Sequence, residues 1–504
     1  MKKRIRTEDI KGMKNRDYVV FYVNGKRIEV RDERIFLPLA NFLRYENDNT
    51  GTKIVCAEGD CGACTVLQAK PKREQLNDVP LDYISCNSCI LPVFLLDSCS
   101  VITVEGMELS QSQLDPIQES FVRCNASQCG FCTPGFIMAT ASLYEKKSQP
   151  TKKDVQNYLT GNLCRCTGYD SIIQAGCDVE NANRNKLQDR YFDPSMTQDL
   201  LNHSQKSIYL DFGEQCKYFA PTSLSEAVTI HAEHKTKIIS GATDLGVQIN
   251  KGRYRDRVFL DLRFISEMHE IIDNQDSITV GAKVNWEMLR RVTKSTHPKF
   301  SEFLHLFASP QIKNVGTLVG NIANASPIAD STPYLMMAEA LLHLKSIDGE
   351  RQVPIVDFYK GYKDLNMQEH EFITHITIPK PKREAIIKLY KISARRDLDI
   401  SCVNMAARME VNEGIIVGFR LAYGGVGPVV KRIYDVENFL IGKDVNPTTI
   451  QKAIEMIPSS ITPISDVRGS MTFRYRSAQN LLKKFFFEWQ RENPNRGSTA
   501  LSAK

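Results

Sequence analysis

A chain of 504 residues has room for three or four domains of about 100–200 residues each, and an apolar content of 42% lets it bury large cores. A net charge of +6 at pH 7 is too slight to point to nucleic acid, and no apolar run reaches the roughly 18 residues of a membrane span. The charged opening MKKRIRTEDIKGMKNR leads into no apolar segment, so it does not read as a signal peptide, and a cytoplasmic location is expected.

Residues 17–106 begin with YVVFYVNGKRIEV, a β-rich run from Tyr18 to Tyr22, an Asn24-Gly25 hairpin turn and an alternating run from Arg27 to Val30. The helix-like PLANFLRYE follows, then a Gly- and Cys-rich loop, then the strand SVITVEG, which together predict a small α+β domain. Residues 110–185 read as helical: Asp115-Pro116 opens one helix, Pro134 a second, and Thr151, with Asp154 at its third position, a third. Residues 186–212 are polar and aperiodic and are expected to be a linker. Residues 213–385 mix the short strands KIIS, VFLDL and SITVGA with helical patterns and two Gly-rich loops; residues 386–490 read as strands followed by helices. The insertion QAKPKREQLND and the run PKPKRE are expected to be solvated turns, and the tail after Asn493 disordered.

Fourteen cysteines in a cytosolic chain favour metal over disulfides, and nine of them fall between Cys56 and Cys132. Cys56, Cys61 and Cys64 have C-x4-C-x2-C spacing, the plant-type [2Fe–2S] pattern. Gly59 and Gly62 would let backbone N–H groups approach the sulfurs. Spacing leaves the fourth ligand open among Cys86, Cys89 and Cys99, and three close thiols could instead hold zinc with one of these. A second set pairs Cys129 and Cys132 with Cys164 and Cys166, each pair leading into a helix start or a turn whose N–H groups favour an anionic cluster. Zinc is the competing occupant there too.

The strings CAEGDCGACTV, NSCILPV, TVEG, SQCGFCTPGFIM, LTGNLCRCTGY, GATDLG, NVGTLVGNIANASPIAD, GYK and YKISARRDLDIS resemble the xanthine dehydrogenase branch of the molybdenum hydroxylase family, over residues 17–485. The resemblance implies an α+β multidomain fold: a β-grasp [2Fe–2S] ferredoxin domain, a four-helix [2Fe–2S] domain, an α+β FAD-binding domain and a C-terminal α+β flavoprotein domain. It makes Cys89, in NSCILP, the fourth ligand of the first cluster. It also implies that the loop Ile238, Ile239, Ser240, Gly241, Ala242, Thr243, Asp244 and Leu245 and the stretch from Gly316 to Asp330 cradle FAD. Read from the residues alone, these are a strand with an ordinary turn, and neither GxGxxG nor a P-loop is present. By the same resemblance Thr317, Asn321 and Asp330 supply side-chain contacts, Phe307 lies near the flavin, Lys391 in YKISARR belongs to the cofactor site, and Tyr362 stands near the flavin ring, where nicotinamide would dock. Val319, where the family usually has Gly, and Ser309-Pro310 depart from the pattern.

The family's molybdenum cofactor domain has no room in a chain committed to two [2Fe–2S] clusters and FAD. A molybdenum-cofactor-binding large subunit is therefore expected as partner, with NAD+ as co-substrate and a dimer of heterodimers as the assembly; no nucleic acid or membrane partner is expected. No catalytic residue for hydroxylation is expected in this chain. Electrons from purine hydroxylation would enter the helical-domain cluster and leave through the ferredoxin-type cluster and FAD. Three other readings remain at this point: an aldehyde or N-heterocycle hydroxylase of the same family, a stand-alone NADH:acceptor reductase, and a non-catalytic redox sensor or scaffold.

Overall fold

A computed structural model of the chain describes residues 15–71, 81–110, 113–180 and 184–493. The tail after Asn493 and most of the loop after the first cysteine motif lie outside the described residues. The fold is α+β throughout, in two compact units: residues 1–266 with 309–316, and residues 267–308 with 317–504. The stretch 213–385, expected as one domain, contributes to both.

In the first unit, β1 (Val19–Val23) and β2 (Lys26–Val30) pair antiparallel through a turn whose Asn24 and Gly25 both have positive φ, +50° and +79°. That geometry matches the right-handed strand twist, which is why Asn-Gly marks the hairpin. With β3 (Thr65–Ala69), β4 (Ile84–Asn87) and β5 (Ser100–Ile102) they form a sheet ordered β2-β1-β5-β3-β4 with β1 parallel to β5. The helix Leu39–Tyr45 buries Leu39, Phe42 and Leu43 in a core with Val19, Phe21 and Phe94.

Four helices follow: Pro116–Arg123, Thr133–Lys146, Lys152–Tyr158 and Asp170–Cys177. Asp115 caps the first and Thr151 the third, each in a reciprocal capping box with the residue three positions on. Asp115 is fully buried and answers Arg184 and Arg190, while Glu145 holds the other end of Arg184.

The stretch 186–212, read from the sequence as a linker, has regular structure of its own. This stretch carries the helices Leu187–Arg190 and Pro194–Ser204 and then β6 (Ile208–Asp211). Asp193 caps the second helix, and Leu187, Met196 and Leu200 join the core of the helical part. Its apolar face is too sparse to show as a period. β6 continues into β7 (Cys216–Ala220), β8 (Lys237–Ile239) and β9 (Arg257–Asp261), ordered β6-β7-β9-β8, with β7, β9 and β8 parallel.

The second unit has an antiparallel sheet of β10 (Ile271–Asp273), β11 (Ser277–Gly281), β12 (Leu341–Ser346), β13 (Gly349–Pro354) and β16 (Phe372–Pro379), ordered β10-β11-β16-β12-β13. A two-stranded ribbon, β14 (Tyr359–Gly361) and β15 (Asp364–Leu365), stands apart from it. The meander β17 (Ile386–Ile392), β18 (Val403–Asn412), β19 (Ile415–Gly424) and β20 (Lys431–Arg432) packs under the helices Pro447–Ser460 and Met471–Glu492. Among the described residues no helix is long and apolar enough to cross a membrane.

One buried ion pair closes the first sheet. Asp97 accepts from Arg16 Nη1 at 2.7 Å and Nη2 at 2.5 Å, and also from the Val20 amide and the Ser98 hydroxyl, both at 2.8 Å. Replacing Asp97 by Ala strands the Arg16 guanidinium in the interior. The expected loss is about 3–5 kcal/mol of stability, read from the urea midpoint; a loss under about 1 kcal/mol would show that solvent reaches Arg16.

Candidate functional site

The first cysteine loop is shaped by three left-handed residues: Ala57 at φ +54°, Gly59 at +73° and Gly62 at +67°. They coil the chain so that its amides face its own sulfurs. Glu58 N–H donates to Cys56 Sγ at 3.4 Å, and the amides of Ala63 and Cys89 reach Cys61 and Cys64. Cys89 comes from the 3-10 turn Ser88–Ile90, tied down where the Ser88 hydroxyl donates to the Cys64 carbonyl at 2.6 Å. Of the three candidates for a fourth thiol, Cys89 is the one in contact with Cys56 and Cys64. Cys86 lies buried in β4, where burial pushes its thiol well up, and Cys99 is buried near Arg263.

The four thiols lie within hydrogen-bonding reach of one another, Cys56 of Cys61 and Cys89, and Cys64 of Cys89. Cys61 and Cys89 donate to Cys56 and hold its thiol far below the ordinary range; Cys89 likewise lowers Cys64. Donating raises Cys61 and Cys89. Four converging thiolates repel one another, so all four ionise together only around a cationic centre. The donor set is all sulfur, with amides aimed at it, which fits a [2Fe–2S] cluster.

The second set joins two segments of the helical part. Cys129 and Cys132 stand before the helix Thr133–Lys146, with Cys132 at its N-terminal boundary; Cys164 and Cys166 precede Asp170–Cys177. Cys166 donates to Cys129 at 3.4 Å, and Cys132 bonds Cys164. Burial pushes Cys132 up to about 12. Burial also raises Cys164, but the Thr167 hydroxyl and the amides of Thr167 and Cys166 outweigh it and bring that thiol to about 7. Cys129 and Cys166 are exposed, whereas Cys64 and Cys89 are buried. Among the described residues no three His, Cys, Asp or Glu side chains surround a single metal-ion position; the sulfurs of this second set meet in two pairs.

The two sets are packed together. Leu163 N–H donates to the Cys61 carbonyl at 2.9 Å, and Asn162 Nδ2 to the Gly62 carbonyl at 2.9 Å. Gln311 Nε2 donates to Asn162 Oδ1 at 2.8 Å from the short helix Pro310–Lys313, which Ser309 caps. Gly135 lies so close that a Cβ there would stand 2.2 Å from the Gly62 oxygen. None of Asn162, Gly135 and Gln311 shows in the sequence as more than a polar or small residue beside a motif.

The first unit also holds the loop Ile238–Leu245. β8 ends at Ile239, Ala242 turns at φ +53°, and the helix Leu245–Asn250 begins. Gly241 is pressed on the backbone of Val315 and Gly316; a Cβ at Gly241 would stand 2.3 Å from the Val315 oxygen. Among the described residues, no backbone hydrogen bond takes up the N–H groups of Gly241, Ala242, Thr243 or Asp244. Ser240 precedes them, half-buried.

In the second unit, Thr317 caps the helix Leu318–Asn324 by accepting from Gly320 N–H at 3.1 Å, and Val319 is buried in its first turn. Asn321 Oδ1 accepts from Ser331 Oγ at 2.9 Å. The buried Asp330 meets Lys391 Nζ at 2.6 Å and Asn404 Nδ2 at 3.0 Å, and also accepts from the Ser401 hydroxyl. The structure thus brings Asp330 and Lys391 together and adds Ser401 and Asn404, which sequence reasoning did not single out. Phe307 packs on Trp286 at 4.6 Å between ring centroids, and Tyr362 is 66% exposed beside the β14–β15 ribbon.

Comparison with known proteins gives the frame for these sites. Residues 103–177 match a [2Fe-2S] binding domain, 212–381 the FAD binding domain in molybdopterin dehydrogenase, and 388–489 the CO dehydrogenase flavoprotein C-terminal domain. Xanthine dehydrogenase 1 of Arabidopsis thaliana is 29% identical over 96% of this chain and 40% of its own length. Aldehyde oxidase 4 of Cavia porcellus is 28% identical over 94% of this chain and 39% of its own length. The chain therefore spans about 40% of the length of the curated relatives it matches. Among solved structures, a chain of quinoline 2-oxidoreductase from Pseudomonas putida 86 aligns at TM-score 0.51 and 26% identity, covering 55% of this chain and 96% of that one. With its [2Fe–2S]-binding and FAD-binding domains in sequence, the chain belongs to the molybdenum hydroxylase family as an iron–sulfur and flavin electron-transfer module.

Proposed function

We propose that this chain is the iron–sulfur and FAD subunit of a xanthine dehydrogenase, passing electrons from purine hydroxylation on a molybdenum-cofactor subunit to NAD+. The observation that carries the reading is the packing of two four-thiol sets in one unit, joined by the Leu163–Cys61 hydrogen bond, in a chain that also has a FAD-binding domain. Curated relatives that cover 91–96% of the chain are mostly named xanthine dehydrogenases. A separate partner would carry the molybdenum chemistry, and a dimer of such pairs is the assembly we propose. The aldehyde oxidase and quinoline oxidoreductase likenesses favour a second reading, the same role with another heterocycle or an aldehyde.

Cys56, Cys61, Cys64 and Cys89 would hold one [2Fe–2S] cluster, and Cys129, Cys132, Cys164 and Cys166 the other. When bound, clusters exchange single electrons and flavin interconverts these with the hydride pair of a nicotinamide. The chain's own contribution is placement. Amides aimed at the sulfurs favour the more negative state, and burial of Cys64 and Cys89 keeps water from that side. For FAD, the amides of Gly241 to Asp244 would meet phosphate oxygens, with Ile238, Ile239, Ser240 and Leu245 framing them. Thr317, Asn321, Asp330, Lys391 and Phe307 would contact the cofactor, and Tyr362 would border the nicotinamide.

Purified without oxygen, the chain is expected to carry about four irons, four acid-labile sulfides and one FAD. Metal and flavin analysis checks this, and zinc in either thiol set would defeat it; a redox-silent scaffold would show no NADH-reducible flavin. The choice of fourth ligand has its own test. Cys89→Ser should cost about two irons and the electron paramagnetic resonance signal of the ferredoxin-type cluster, whereas Cys86→Ser should keep both. In the reconstituted complex, Cys164→Ser should cut purine-dependent NAD+ reduction at least tenfold while NADH:dye activity persists. Unchanged purine turnover after loss of that cluster would sink the proposed order, and xanthine oxidation by this chain alone would sink the assignment of hydroxylation to the partner.

A further inference from the structure

The helix Leu245–Asn250 leaves the small-residue loop and, within the same unit, lies flat on the first thiol set. A Cβ at Gly246 would stand 2.0 Å from the Ile90 carbonyl oxygen, so the helix backbone rests on the Cys89–Ile90 turn. Val247 packs with Cys64, Cys89 and Ile90. Four residues after Gly246, on the same helix face, Asn250 Nδ2 donates to the Ala57 and Cys89 carbonyl oxygens, each at 2.8 Å. Outside this pair, Lys251 and Glu58 form an ion pair at 2.8 Å.

Ala57 follows Cys56 directly, and its left-handed φ of +54° is one that a residue with a Cβ keeps only when its surroundings hold it there. A primary carboxamide has two N–H groups on one nitrogen, and here both are used to join the two arms that supply sulfur. No other side chain type of this size could bond two carbonyls at once.

We infer that Asn250 is a positioning residue for the ferredoxin-type cluster, clamping the Cys56 arm to the Cys89 arm and setting the potential at that site. The inference rests on the reading that these thiols hold a [2Fe–2S] cluster. The reduced cluster carries one more negative charge than the oxidised one. Donors that draw negative charge off neighbouring carbonyls therefore favour it. Asn250→Ala removes the donors and should lower the midpoint potential. Asn250→Asp keeps the size, turns both contacts repulsive and should lower it further.

The test uses the full chain, purified anaerobically as wild type, N250A and N250D. Iron, sulfide and FAD are measured, together with the thermal midpoint and a redox titration followed by electron paramagnetic resonance. The expected result is a fall in the ferredoxin-type midpoint in the order Asn, Ala, Asp, with the second cluster's midpoint unmoved. Selective loss of iron from the Cys56 set, with the second cluster and FAD kept, would equally support the clamp. Both midpoints unmoved at full iron content, an equal shift in both, or joint loss of both clusters and FAD would overturn it in favour of a merely structural role. A wild-type chain without a [2Fe–2S] signal from the Cys56 set would overturn the cluster assignment, and the inference with it.

Discussion

The carbonyl oxygen of Gly62 is the point on which the first compact unit turns. It accepts from the Thr65 amide at 3.0 Å, the Thr65 hydroxyl at 2.6 Å and Asn162 Nδ2 at 2.9 Å, with Gly135 pressed against it. Gly62 holds a left-handed φ of +67°, and a Cβ there would meet the Gly161 oxygen at 2.3 Å. Glycine is the residue that satisfies both demands. Because Asn162 and Leu163 run straight into Cys164, the constraint that shapes one cysteine loop also fixes where the other lies.

The two sulfur sets differ in surroundings in a way that matters for redox chemistry. The first has two sulfurs sealed in apolar packing with Ile90, Val247 and Ile312. The second presents Cys129 and Cys166 at the surface, beside the exposed Phe131 and Leu163. Solvent access and hydrogen bonding to sulfur are the protein's main means of separating the potentials of chemically identical clusters. Identical ligand types need not give identical carriers.

Local signals were legible where one residue decides one geometry. Asn24-Gly25 specified a hairpin because both positions need positive φ, and Asp115-Pro116 and Thr151 specified helix starts because a cap bonds within three residues. Cysteine spacing picked out two groups of thiols that the structure brings together, but could not choose among Cys86, Cys89 and Cys99. That choice depends on where the strand Ile84–Asn87 ends and the Ser88–Ile90 turn begins. The stretch 186–212 looked like a linker because only a few residues of each short helix are buried. Asp330 was legible as a candidate by resemblance, but its partners Ser401 and Asn404 stand 71 and 74 residues away, and nothing local announces such a pairing.

The contact from Asn250 to Cys89 spans 161 residues of sequence, and this has a consequence for how the protein is made. All eight thiols have been synthesised by Cys166, before the segment that clamps the first set exists. An early chain therefore offers the first site as a cage whose two arms are joined only by their own loop bonds. Docking of the helix Leu245–Asn250 and occupation of the site are linked equilibria: whatever each contributes to the other's free energy is returned in equal measure. A chain loaded early folds its later half onto a finished platform, and a chain folded early presents a tighter cage to whatever delivers the iron.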